Sequence, residues 1–97
     1  MYEINYSKHA ERYLKKLKDK HLLSAFKAAI DKLKSNPYIG TQKLGDLRGI
    51  YGYDVIYNSI NYELAYRIYD VNKLLVVIIL AGTRENFYED LKRLIKN

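Results

Sequence analysis

Apolar residues follow two different rhythms along this chain. Tyr2, Ile4 and Tyr6 alternate with Glu3 and Asn5, which predicts a short opening strand over 2–6. Ser7 then offers a good N-cap, with Ala10 and Glu11 following in the first turn of a helix. Ala10, Tyr13, Leu14 and Leu17 recur at helical spacing, and Lys15, Lys16 and Lys18 take the other side. That is the pattern of an amphipathic helix with a basic outer face. Asp19-Lys20 marks a tight break. Leu22, Leu23, Phe26, Ala29, Ile30 and Leu33 form the stripe of a second helix. Ser35-Asn36-Pro37 ends it, because the residue before a proline is pushed out of helical geometry. The two helices are expected to form an antiparallel hairpin.

Beyond the hairpin the period changes to two. Gly40 to Gly49 reads as a loop. Tyr51, Tyr53, Val55 and Tyr57 alternate as one strand, and Tyr62, Leu64, Tyr66 and Ile68 as the next, with the turn at Asn58-Ser59-Ile60-Asn61. Asp70 to Lys73 turns the chain into a third strand, Leu74–Leu80, which Gly82-Thr83 breaks. Asn86 with Glu89 has capping-box spacing before a last helix that runs to about Lys96. Runs of helices and runs of strands, rather than strict alternation, predict an α+β fold. The expected architecture is an N-terminal strand and helical hairpin packed on an antiparallel sheet, with a short C-terminal helix. Short joining turns are the reason to expect antiparallel pairing. The hairpin covers one face of the middle strands. The other face carries Asp54, Ile56, Glu63, Ala65, Arg67 and Tyr69, a mixture that leaves it open to a partner.

Length bounds what this fold can enclose. The 97 residues form a single domain, 1–97, with one core and no room for a deep small-molecule pocket, so a site on an open surface is expected. The chain has no cysteine, which excludes a disulfide framework, a thiolate metal site and a thiol nucleophile. His9 and His21 are too few for a zinc site, and they read as surface residues of the hairpin. No metal or other cofactor is therefore expected. No segment resembles a signal peptide, and the longest apolar run, Leu74 to Gly82, is too short to span a bilayer; the expected location is the cytoplasm, with no membrane partner. The net charge of +6 favours a polyanionic or acidic partner. Eleven tyrosines against two phenylalanines and no tryptophan add rings that can stack on unpaired bases, although many of them also fit as cover for core edges.

Several short motifs recur in a fixed order: Leu47-Arg48-Gly49, Gly52-Tyr53, Tyr62-Glu63-Leu64-Ala65-Tyr66-Arg67-Ile68, and Ala81-Gly82-Thr83-Arg84. Across nearly the whole chain this arrangement resembles the RelE/ParE toxin superfamily of type II toxin–antitoxin systems. The pattern Gly82-Thr83-Arg84 followed by Tyr88 is most similar to the YafQ-like branch. The resemblance implies a toxin that cuts messenger RNA on the ribosome and inhibits translation. It implies a cognate antitoxin, the ribosome and mRNA as partners. The same scaffold also carries gyrase-directed toxins, and a non-catalytic basic binding module is a third reading. Fold alone does not choose among them.

The resemblance places Arg84 where the branch has a catalytic histidine and RelE an arginine. It places Tyr88 at an aromatic position, Tyr57 at a second histidine and Asn61 at an aspartate. Cleavage by the 2′-hydroxyl needs positive charge near the phosphorus and a proton route to the leaving oxygen. The candidate catalytic residues are therefore Arg84, Tyr88, Arg67 and Tyr57. Arg84 suits a phosphate because its planar fork stays charged, and Arg67 is a second clamp on the non-helical sheet face. Lys43, Arg48 and Asn61 are the candidate RNA-binding residues. The competing readings are ion pairs from Arg84 to Glu85 or Glu89 and from Arg67 to Glu63 or Asp54. For Tyr57, the alternative is a place in the core beside Tyr53 and Val55.

Overall fold

The structure, a computed structural model, describes residues 1–95. Strand β1 (Glu3–Tyr6) leads into helices α1 (Lys8–Lys15) and α2 (Lys20–Ser35). Ser7 caps α1 by accepting from the Ala10 N–H, and Asp19 caps α2 by accepting from the His21 and Leu22 N–H groups. A 3₁₀ turn at Pro37–Ile39, a two-residue strand β2 (Thr41–Gln42) and a second 3₁₀ turn at Gly45–Leu47 occupy the expected loop. Three strands then follow, β3 (Tyr51–Tyr57), β4 (Ile60–Tyr69) and β5 (Leu75–Thr83), and helix α3 (Phe87–Ile95) closes the described chain. The expected helix end at Lys96 lies outside the described residues.

The α+β fold and the strand–hairpin–sheet–helix order are as the sequence predicts. The sheet order is β1-β5-β4-β3-β2. β2, β3, β4 and β5 pair antiparallel, while β1 runs parallel to β5, with Ile4 opposite Val76. A parallel neighbour needs a long crossover, and the helical hairpin belongs to it. The turn between β3 and β4 tightens to Asn58-Ser59, both left-handed at φ 52° and 63°, the geometry of a two-residue hairpin loop. Ile60 and Asn61 thereby join β4. β5 continues through Gly82-Thr83 instead of breaking there. The Asn86 capping box does not form, since Asn86 sits in the left-handed region (φ 59°) rather than the extended geometry a cap requires.

Two cores flank the sheet. The larger lies under the hairpin, where Phe26, Ile30 and Leu33 meet Val55, Leu64, Tyr66, Val76 and Ile78. The smaller lies on the other face, where Phe87 and Leu91 of α3 meet Leu47, Ile50, Ala65 and Leu80. The face expected to be open is thus closed over Ala65 by α3, while Asp54 and Ile56 remain exposed. One bulge in β5 makes both cores possible. Ala65 pairs with Leu80 and Tyr66 with Ile78, so Ile79 is the extra residue. Inserting one residue reverses the alternation of every side chain beyond it. Val76, Ile78 and Ala81 therefore face the hairpin, and Leu80 faces α3. The Ile79 carbonyl accepts a 2.6 Å hydrogen bond from the Ser7 hydroxyl, so one side chain both starts α1 and satisfies the bulge.

Candidate functional site

The face of the sheet away from the hairpin holds one strongly polar cleft, beside α3 and at the β2–β3 edge. Lys43, Gly52, Asp54, Glu63, Arg84 and Tyr88 line it. Alternation along β4 explains the position of Glu63. Tyr62 and Leu64 enter the hairpin core, so the carboxylate between them must emerge on the opposite face. There it is almost completely enclosed, at 2% exposure. A buried carboxylate is costly unless paired. Glu63 Oε2 accepts a 2.6 Å hydrogen bond from Lys43 Nζ, whose side chain is itself only 10% exposed. Gly52 makes room for the pair. A Cβ there would lie 2.9 Å from Lys43 Nζ and in steric conflict with Glu63 Oε2.

Lys43 also donates to the Tyr88 hydroxyl at 2.9 Å, and its ammonium lies 4.3 Å from the centre of the Tyr88 ring. Because Tyr88 accepts this bond, its own O–H proton is left to point elsewhere. Burial alone would lower the Lys43 pKa. The hydrogen bonds to Glu63 and Tyr88 outweigh it, and the ammonium is held above its ordinary range. Arg84 reaches in from the end of β5, with Nε 3.8 Å from Glu63 Oε1 and Nη1 3.7 Å from Asp54 Oδ2. Its partners are thus Asp54 and Glu63, not Glu85 or Glu89. Glu63 Oε1 has no hydrogen-bond partner, so one acceptor stays vacant deep in the cleft.

Arg84, Tyr88 and Lys43 of the expected site residues come together here. Glu63 and Asp54 were missed as site residues. The alternation had set both on this face, and what it could not show is that Glu63 is buried against Lys43. The other candidates lie elsewhere. Arg67 shares the sheet face but sits against Gly49, whose added Cβ would meet Arg67 Nη1 at 3.2 Å. It makes no ion pair with Glu63 or Asp54 among the described residues. Arg48 is exposed beyond the second 3₁₀ turn. Asn61 touches the region through its backbone, accepting from the Arg84 N–H at 3.1 Å, and its buried side-chain oxygen has no partner. Tyr57 belongs to the hairpin side, where its hydroxyl donates to Asp19 at 3.2 Å. Desolvation and that hydrogen bond raise its pKa, which leaves still less of it ionised and able to take a proton near neutral pH. No cluster of three or more metal-ligating acids or histidines occurs among the described residues. No helix among them is long and apolar enough to cross a membrane.

A helical hairpin on one face of a small sheet, a closing helix on the other, and a cleft of lysine, arginine and tyrosine beside it define a toxin of the RelE/ParE class. The profile of the family described as ParE-like toxin of type II bacterial toxin–antitoxin system matches residues 4–92, and the chain belongs to that family. The toxin–antitoxin complex RelBE2 from Mycobacterium tuberculosis has a chain that is 27% identical, with a TM-score of 0.66; the match covers 86% of this chain and 98% of that one. A mutant of the E. coli toxin RelE in the free state shares the fold, at 24% identity and a TM-score of 0.70, over 97% of this chain and 98% of that one. No curated protein sequence matches.

Proposed function

We propose that this toxin is an endoribonuclease that cuts mRNA on the ribosome and so inhibits translation, and that the cleft holding Arg84, Tyr88 and Lys43 does the cutting. The observation that carries this reading is the Lys43 ammonium donating to the Tyr88 hydroxyl beside Arg84. It supplies both things the reaction lacks in water, positive charge at the phosphorus and a proton for the leaving group. In the proposed reaction the 2′-oxygen forms a bond to phosphorus and the bond to the 5′-oxygen breaks. Asp54, the exposed acid at the mouth, takes the 2′ proton. Arg84 turns its fork from Asp54 to the phosphate. Tyr88 gives its proton to the leaving 5′-oxygen, the Lys43 ammonium stabilises the tyrosinate that forms, and water carries the proton from Asp54 back to Tyr88. Glu63 is a positioning residue that keeps Lys43 charged and in place. Lys43 thus moves from RNA binding to the support of Tyr88, and Arg48, Arg67 and Asn61 stay candidates for holding the RNA backbone.

The proposed partner is a cognate antitoxin, as the complexed state of the M. tuberculosis relative supports. A second reading, a toxin of this fold acting on DNA gyrase, draws on the charge balance of the cleft, where Asp54 and Glu63 offset Lys43 and Arg84. Induced expression with mapping of transcript ends decides between them. Codon-phased cuts in translated messages support cleavage on the ribosome. A DNA-damage response without cuts supports the gyrase reading. Arg84→Ala should lose about a hundredfold to a thousandfold in cleavage rate, the usual cost of one preorganised donor. Tyr88→Phe keeps the ring and removes the proton. Wild-type cutting by folded Arg84→Ala would refute this site.

A further inference from the structure

Glu63 is only half used by the groups around it. Oε2 carries the 2.6 Å bond from Lys43, while Oε1 is enclosed and has no hydrogen-bond partner among the described residues. The cation beside Oε1 is Arg84, whose Nε stands 3.8 Å away, beyond hydrogen-bond reach. When Arg84 turns to a phosphate, as the proposed reaction has it, Oε1 loses even that neighbour. A buried carboxylate oxygen without a donor is costly, because its water has been stripped and nothing replaces it. Whatever fills the cleft must therefore bring donors to this point. A second enclosed oxygen without a partner, Asn61 Oδ1, belongs to the residue two back on β4, which alternation sets on the same face. The cleft encloses about 330 Å³, at the small end of the range for ligand sites. Ile39, half-exposed at its edge, offers an apolar surface against which a flat ring can lie.

A 2′-hydroxyl brings a single donor, and the reacting one is already assigned to Asp54. Two enclosed acceptors call for two donors, which among the parts of RNA points to a base edge. Guanine alone has two adjacent donors on its Watson–Crick edge, N1–H and the N2 amine. Adenine and cytosine set a bare ring nitrogen beside their amine, and uracil sets a carbonyl on each side of its N3–H. Each of these would press an acceptor against the acceptors of Glu63 and Asn61, which is a penalty against the wrong base as well as a missing bond. We propose that Glu63, with Asn61 beside it, is the specificity-determining residue of the cleft and reads a guanine base flanking the bound phosphate, Oε1 accepting from the guanine edge while Oε2 keeps Lys43. Asn61 then serves the base rather than the backbone. This assignment rests on the RNA reading of the cleft and gives that site a base preference; it does not require cleavage.

Fluorescence anisotropy with short labelled single-stranded RNAs tests it on the intact protein. The RNAs differ only in the central base, which is carried on 2′-deoxyribose so that no 2′-oxygen there can attack. Guanine should bind roughly tenfold to a hundredfold more tightly than adenine, cytosine or uracil, the contribution of a bond to a buried charged acceptor. Inosine keeps N1–H and lacks the N2 amine, so it should fall between guanine and adenine. 1-Methylguanine blocks N1–H and should fall to the level of adenine. In Glu63→Gln the amide oxygen stays with Lys43 and the NH₂ group, a donor, faces the base. The four bases should then bind within about twofold of one another. A uniform loss of binding leaves that ratio untouched, so a merely structural role for Glu63 would not produce this result. Equal affinities for the four bases in the wild type, a preference for another base, or an unchanged preference in Glu63→Gln overturns the inference. So does methylguanidinium displacing the guanine RNA as readily as guanosine does, which would make the acceptors a seat for an arginine of a protein partner. Transcript-end mapping tests cleavage separately. Absent cuts with an intact guanine preference would remove the proposed reaction and leave the base site, whereas cuts with no preference would do the reverse.

Discussion

Gly52→Ala tests whether the Lys43–Glu63 pair is built into the fold. The backbone at Gly52 is ordinary strand, between Thr41 and Ala65, so alanine meets no conformational penalty there. Its methyl group would instead press on Glu63 Oε2 and lie 2.9 Å from Lys43 Cε and Nζ. Overpacking of this kind costs about 1–3 kcal/mol. Replacing a strand glycine recovers roughly 0.5–1 kcal/mol of chain entropy. The expected loss is therefore about 1–2 kcal/mol, or roughly 5–12 °C in Tm for a domain of this size. Gly82 supplies the control, because it also lies in a strand of this cleft and a Cβ there meets nothing within 4 Å. Gly82→Ala should be neutral or slightly stabilising. Thermal unfolding followed by circular dichroism measures both. If Gly52→Ala melts with the wild type, the pair does not need the notch, and the argument for its position fails.

Lys43→Met should cost about 3–5 kcal/mol, because it leaves the Glu63 charge buried without its partner, and Glu63→Gln should cost much less; chemical denaturation of both variants measures the difference. The pair also has an alkaline signature. Lys43 titrates above its ordinary 10.5 in the fold, so its stabilisation is complete below pH 10.5 and is lost as pH climbs through the raised value. The stability gap between wild type and Lys43→Met should then narrow as pH climbs above 10.5, and a gap that stays constant there would contradict this. Tyr66→Phe removes a buried 2.6 Å hydrogen bond to the Pro37 carbonyl. It should cost about 1–3 kcal/mol in denaturant unfolding without altering the cleft.

Local spacing was enough to read most elements of this protein. The stripe of Phe26, Ile30 and Leu33 and the alternation of Tyr62, Leu64 and Tyr66 depend only on helix and strand periods, so helices, hairpin strands and the α+β class follow from the sequence alone. Arg84 and Tyr88 were singled out by the family resemblance, and their positions at a strand end and a helix start four residues on let both line one cleft. Tertiary structure alone decided what depends on pairing across distance. β1 meets β5 in parallel some 72 residues on, and no local pattern encodes that partner. The bulge at Ile79 reverses the facing of the end of β5, which a continuous apolar run such as Leu74–Leu80 conceals. Lys43 lies 20 residues from Glu63 and 45 from Tyr88, and only the closed sheet with α3 docked on it brings the three within hydrogen-bond reach. Sequence spacing reports which face a side chain takes. Burial and ion pairing depend on what the rest of the chain lays over that face, and here α3 and the loop carrying Lys43 turned an ordinary strand glutamate into the enclosed centre of the cleft.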